Sequence, residues 1–125
     1  MGLKDWLGTN HYVTKPGDTD PFFRPRKYGK SKPEVAALVR ETLTSLRELR
    51  LEEYRENQGL FRITRSVLFP PSAQDINIYV VQGLDETTGV EMTSVSRGGK
   101  RDWGQNKRNL REILAALDSK LKPLQ

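Results

Sequence analysis

Apolar positions fall into two helical stripes with alternating stretches between them. Ser31-Lys32-Pro33-Glu34 reads as a capping box with proline in the first turn, where a missing N–H costs nothing. Behind it Val35, Leu38, Val39, Thr42, Leu46 and Leu49 recur at helical spacing, with Arg40, Glu41, Arg47 and Glu48 mostly off the stripe. This predicts a helix of about 16 residues with one buried face. Leu110, Ile113, Leu114, Leu117 and Leu121 predict a closing helix from about Gly104–Asn106, with Pro123 beyond its end and Lys107, Arg108 and Arg111 pointing largely away.

Between the stripes the pattern loosens over Leu49–Arg55, a weak strand, and Glu56-Asn57-Gln58-Gly59 supplies a turn. Phe61, Ile63, Val67 and Phe69 then alternate, interrupted by Arg65 and ended by Pro70-Pro71. Ile76, Ile78 and Val80 mark a third strand, Gly83 to Gly89 a turn, and Val90 to Arg97 a fourth strand. Connections of about four to seven residues are too short for parallel crossovers, so the sheet is expected to be an antiparallel meander. The predicted fold is α+β, in the order α-β-β-β-β-α, with both helices packed on one face of four strands. Leu68, Tyr79 and Val81 would lie on the other face, for the arm or a partner to cover.

Residues 1–30 show no period and are punctuated by Gly2, Gly8, Pro16, Gly17, Pro21, Pro25 and Gly29. They read as an extended arm ahead of a single domain at 31–125. Its anchors Trp6, Tyr12, Phe22, Phe23 and Tyr28 make it richer in aromatics than a disordered tail. Part of it is therefore expected to lie across the domain or across a partner.

Composition narrows the chemistry. The 125 residues suit one domain. The chain has no cysteine, which removes disulfides, thiolate metal sites and Cys nucleophiles. Its one histidine, His11, falls in the arm, so neither a Ser-His-Asp triad nor a His-rich metal site is expected. No metal and no cofactor are predicted. No stretch approaches the roughly 18 apolar residues of a membrane span. Met1-Gly2-Leu3-Lys4-Asp5-Trp6 lacks the apolar segment of a signal peptide, and Trp6 stands where a myristoylation motif wants Ser or Thr. The expected location is cytoplasmic, or stromal and peripheral on a membrane complex.

The net charge of +5 is uneven: residues 1–31 carry +3, 32–50 +1, 51–75 −1, 76–96 −3 and 97–125 +5. A basic end of this kind attracts phosphates, anionic lipid heads or an acidic partner, unless it is simply a solvated helix face. Its cations are Arg97, Lys100, Arg101, Lys107, Arg108 and Arg111.

The junction from Ser94 to Asn106 concentrates polar side chains into 13 residues, more than a corner needs. Asp102 could pair with Arg97 or cap the closing helix. In the functional reading Ser94, Ser96, Arg97 and Asn106 line a pocket at the helix N-terminus, where free N–H groups and the dipole favour an anion. Trp103 would either staple the loop to the core or stand exposed beside Lys100 and Arg101 as an interface anchor. Arg65, on an apolar strand face, needs a mate, and Glu91 or Asp75 is the expected one. Two facing carboxylates, as glycoside hydrolysis needs, are not found.

This junction resembles the signature of an uncharacterised family, domain of unknown function 1499: Ser-X-Ser-Arg-X-Gly-X-X-Asp-X-Gly-X-Asn before a basic, Ile/Leu-rich helix. Ser94, Ser96, Arg97, Gly99, Asp102, Gly104, Asn106, Arg108 and Leu110 match. Weaker similarity runs through Asp20-Pro21, Arg24-Pro25-Arg26, the capped helix and the Arg65–Phe69 strand, covering about residues 20–120. Asn109 replaces a frequent second arginine, and the family's Cys-containing opening is absent. The family's frequency in cyanobacteria and plastids implies photosynthetic or other membrane complexes as partners. The expected function is a non-catalytic accessory or binding protein that docks on a larger assembly through its arm and basic loop–helix. The alternative is a module for an anionic ligand: a phosphate-bearing small molecule, a lipid head group or, less favoured, nucleic acid. An enzyme would need Ser94, Ser96, Asp102 and Asn106 to work without histidine or cysteine.

Overall fold

The computed structural model describes residues 10–68, 71–99 and 104–124. In chain order they form strands β1 (His11–Val13) and β2 (Arg26–Tyr28), helix α1 (Lys32–Ser45), strands β3 (Arg50–Arg55), β4 (Leu60–Leu68), β5 (Pro71–Gln82) and β6 (Thr88–Ser96), and helix α2 (Gln105–Lys120). The fold is α+β, and strands β3, β4, β5 and β6 lie side by side in that order, all antiparallel.

The described sheet has six strands, not four, because the arm joins it. β1 pairs with Thr93–Val95 and β2 with Thr88–Val90, both antiparallel on the free edge of β6. Thr14 bridges the gap: its N–H donates to the Met92 carbonyl at 3.0 Å and its Oγ1 accepts from the Met92 N–H at 3.0 Å. Arm strands of three residues are too short to show alternation, and prolines separate them. They exist because β6 offers unpaired edge groups.

Residues Gln74, Ile76, Ile78 and Val80 of β5 and Val90, Met92 and Ser94 of β6 alternate inward, with Phe61 and Ile63 of β4. They meet Val35, Val39 and Leu43 of α1 and Leu110, Ile113, Leu114 and Leu117 of α2 in one core. Phe23 and Tyr28 of the arm are buried in the same core, so residues 10–28 pack with the domain that follows them.

The capping box forms as the sequence suggests: the Glu34 N–H donates to Ser31 Oγ at 3.3 Å and the Ser31 N–H donates to Glu34 Oε1 at 3.2 Å. The helix then stops at Ser45, and Leu49 reaches the core from the connection after it. Pro71 opens β5 instead of only closing its predecessor. Gly59 is required where it stands: φ is 63°, and a Cβ there would lie 2.3 Å from the Val80 carbonyl oxygen.

Among the described residues the arm prolongs the sheet and leaves its second face exposed. Leu68 is 75% exposed there, and Val13, Val81 and Val95 are each about 40% exposed. Arg65 faces the helices, as does every second residue of β4, so it bonds Glu48 and, at 3.0 Å, Glu112. The expected mates Glu91 and Asp75 point to the opposite face, and Asp75 pairs with Arg97. Among the described residues no helix is long and apolar enough to cross a membrane.

Candidate functional site

The polar junction is built where the end of β6 meets the start of α2. Ser94 and Ser96 belong to the inward row of β6, two residues apart, so both face α2. α2 begins after Gly104, whose φ of 81° lies in the left-handed region and turns the chain into the helix. Asn106 and Asn109, three residues apart, continue the stripe of Leu110, Ile113 and Leu117. Gln74 lies on the inward row of β5, opposite Ser96.

These side chains find one another. Ser94 Oγ donates to Asn106 Oδ1 at 2.6 Å, and Asn106 Nδ2 donates to Ser96 Oγ at 2.9 Å. Asn109 Nδ2 donates to Gln74 Oε1 and to Ser94 Oγ, both at 3.1 Å, while Asn109 Oδ1 accepts from Gln105 Nε2 at 2.7 Å. Gln74 Nε2 in turn donates to Ser72 Oγ at 3.1 Å. Gln74, Ser94, Asn106 and Asn109 are fully buried and Ser96 nearly so. Among the described residues the buried members of the network are joined by neutral donors and acceptors, and Arg108 bonds Gln105 at its margin. In low dielectric such a lattice fixes the angle at which α2 leaves the sheet.

The structure therefore places Ser94, Ser96 and Asn106 inside, not on a solvent-facing pocket wall. Sequence reasoning missed Gln74, Gln105 and Asn109. The signal for two of them was present, because Gln74 and Asn109 stand in the apolar periods of β5 and α2. A polar residue at such a position needs a buried partner. Lys100, Arg101, Asp102, Trp103 and Trp6 lie outside the described residues.

Arg97 turns the other way. Its Nε lies 3.1 Å from both Asp75 carboxylate oxygens and its Nη2 donates to Oδ1 at 2.8 Å, on the open face of the sheet. Both partners are about half exposed, so the pair orients the chain more than it stabilises it.

The basic face of α2 does not simply point away. Lys107 Nζ sits 5.0 Å from the Phe23 ring centre and 5.6 Å from that of Tyr12, and Arg111 Cζ is 5.4 Å from Phe23. Arg108 bonds Gln105 Oε1 at 3.1 Å. Lys107 and Arg111 thus cover two of the arm's aromatic anchors, Tyr12 and Phe23. Phe23 packs edge-on against Tyr12 and Phe22 at 5.2 and 5.3 Å. On β2, Arg26 is 7% exposed, donates to Asp118 of α2 from Nε at 2.9 Å and from Nη2 at 2.8 Å, and lies over Phe22. Basic helix and aromatic arm engage each other.

A further tie carries a pH signature. Tyr12 Oη donates to Asp18 Oδ2 at 2.6 Å, and the Asp20 N–H donates to Asp18 Oδ1 at 2.9 Å. The bond from Tyr12, helped by that N–H, holds the Asp18 carboxyl below its usual 3.8. Burial first, then the Asp18 carboxylate, pushes the Tyr12 phenol up to about 12. A carboxyl lowered by folding stabilises fully above its unfolded value, and that contribution disappears as pH falls through the folded value. Acidification below 3.8 will thus lower the melting temperature, and Asp18→Asn will flatten this dependence in thermal scans at stepped pH. Equal slopes in both proteins would refute the assignment.

A family model described as "Protein of unknown function (DUF1499)" matches residues 4–117. The match begins earlier than the resemblance in the signature suggested and so takes in the arm. No curated protein matches the chain.

Proposed function

This chain belongs to the DUF1499 family of proteins of unknown function, and from that premise we propose that it is a non-catalytic accessory protein that docks on a larger protein assembly. The observation that carries the reading is the open face of the sheet. Val13 of β1 and Val95 of β6 are diagonal neighbours there, 41% exposed each. The Arg97–Asp75 pair borders them, and Arg62 and Asn77 continue the surface. An apolar centre with a charged rim is the ordinary make-up of a protein interface. The arm contributes Val13 and the basic junction starts at Arg97, so both segments named from the sequence adjoin this face.

The test is affinity capture of the tagged protein from its source cells, with Val13→Glu/Val95→Glu beside the unaltered chain. The unaltered chain should recover one defined assembly in fixed proportion, and the double variant should lose it with an unchanged melting temperature. Recovery of the same assembly by a folded double variant would overturn the reading. An anionic ligand on Arg97, Lys107 and Arg111 is less supported, since Asp75 and the Phe23 ring already engage these cations. A steep fall of binding with salt would favour it.

A further inference from the structure

A second feature of the open face lies at its other end, between the arm and the β5–β6 hairpin. Val81 of β5, Gly89 of β6 and Lys27 of β2 form one row across three strands, because Gly89 is in register with both neighbours. Pro25 and Thr87 flank this row, and the groove encloses about 550 Å³. That volume falls within the range of small-molecule sites.

Gly89 is the informative residue. Glycine inside a strand weakens it and often marks the close approach of another group. Here the fold does not ask for it. Its φ is not among the positive values, and an added Cβ would meet only the carbonyl oxygens of Arg26 and Val81, both at an ordinary 3.8 Å. Gly59 is the contrast, since a Cβ there would collide with backbone. At Gly89 the missing side chain leaves a flat floor of bare strand with aliphatic walls in Val81 and Pro25.

Two cations stand on the arm side of that floor. Lys27 is exposed and forms no ion pair among the described residues. Arg24 commits its Nε to the Asp18 carbonyl at 3.0 Å and also lines the groove. Glu91 lines it as well, one inward–outward repeat along β6 from Gly89. Flat floor, aliphatic walls, cations on one rim and a hydrogen-bond acceptor nearby describe the complement of one kind of molecule. We propose that this groove binds a small planar aromatic carboxylate, its ring over Gly89 between Val81 and Pro25 and its acid group on Lys27 and Arg24. A ring N–H or O–H would be received by Glu91.

The probe is indole-3-acetate, titrated into the full chain labelled with nitrogen-15, with indole-3-ethanol as the analogue that keeps the ring and loses the charge. Saturable shifts are expected at Lys27, Val81, Thr87 and Gly89, with the alcohol binding about tenfold more weakly. Gly89→Val should abolish these shifts without lowering the melting temperature, because a β-branched side chain suits a strand. Lys27→Ala should weaken binding about fivefold and leave the fold untouched. Absence of saturable shifts at these residues would overturn the proposal, as would equal binding of acid and alcohol. So would shifts that survive in a folded Gly89→Val, or an affinity unchanged in Lys27→Ala.

Discussion

Phe23→Ala will destabilise the protein by about 4 kcal/mol, in the range of large aromatic-to-alanine changes at fully buried sites. Phe23 has no exposed surface and packs between Tyr12 and Phe22, with Lys107 and Arg111 above it. Truncation opens a cavity at the joint between arm and α2 and removes the ring on which both cations sit. Half-buried Phe22, whose backbone N–H is held by Asp20 at 3.0 Å, is the natural comparison, and Phe22→Ala will cost clearly less. Urea unfolding with a common slope measures both. A loss below about 0.5 kcal/mol for Phe23→Ala, the level of an ordinary surface change, would show that the arm is not part of the core.

Asn106→Ala is the second large effect, about 3 kcal/mol. Asn106 accepts from Ser94 and donates to Ser96, both closed to water. Its removal leaves two buried hydroxyls short of a partner, and each orphaned polar group carries a desolvation cost of about 1–3 kcal/mol. Ser96→Ala, at the margin of the network, will cost about 1 kcal/mol. The decisive measurement is the double-mutant cycle of Asn106→Ala with Ser94→Ala. Direct partners in one network should couple by more than about 0.5 kcal/mol. Additive losses would mean that the two side chains do not act together.

Both effects fall where the arm and the polar junction meet the core. Both segments were conspicuous in the sequence for their composition. What composition could not say is whom they serve. The aromatic anchors Tyr12, Phe22, Phe23 and Tyr28 and the cations Lys107 and Arg111 were each consistent with an outside partner. Folding sets Tyr12 and Phe23 against Lys107 and Arg111 instead, and among the described residues Val13 and Val95 stay exposed on the other sheet face.

The linear chain by itself determined both helices, the capped start at Ser31, the order of strands β3 to β6 and the inward rows of the core. Each of these rests on local period, on turn chemistry or on connections too short to cross over. Tertiary structure alone decided that the arm supplies two strands, because pairing with β6 depends on an edge that exists only once the meander has formed. It also decided the direction of the polar junction. Ser94, Ser96, Asn106 and Asn109 read the same whether they face water or each other, and only the docking of α2 on the sheet closes them into a network.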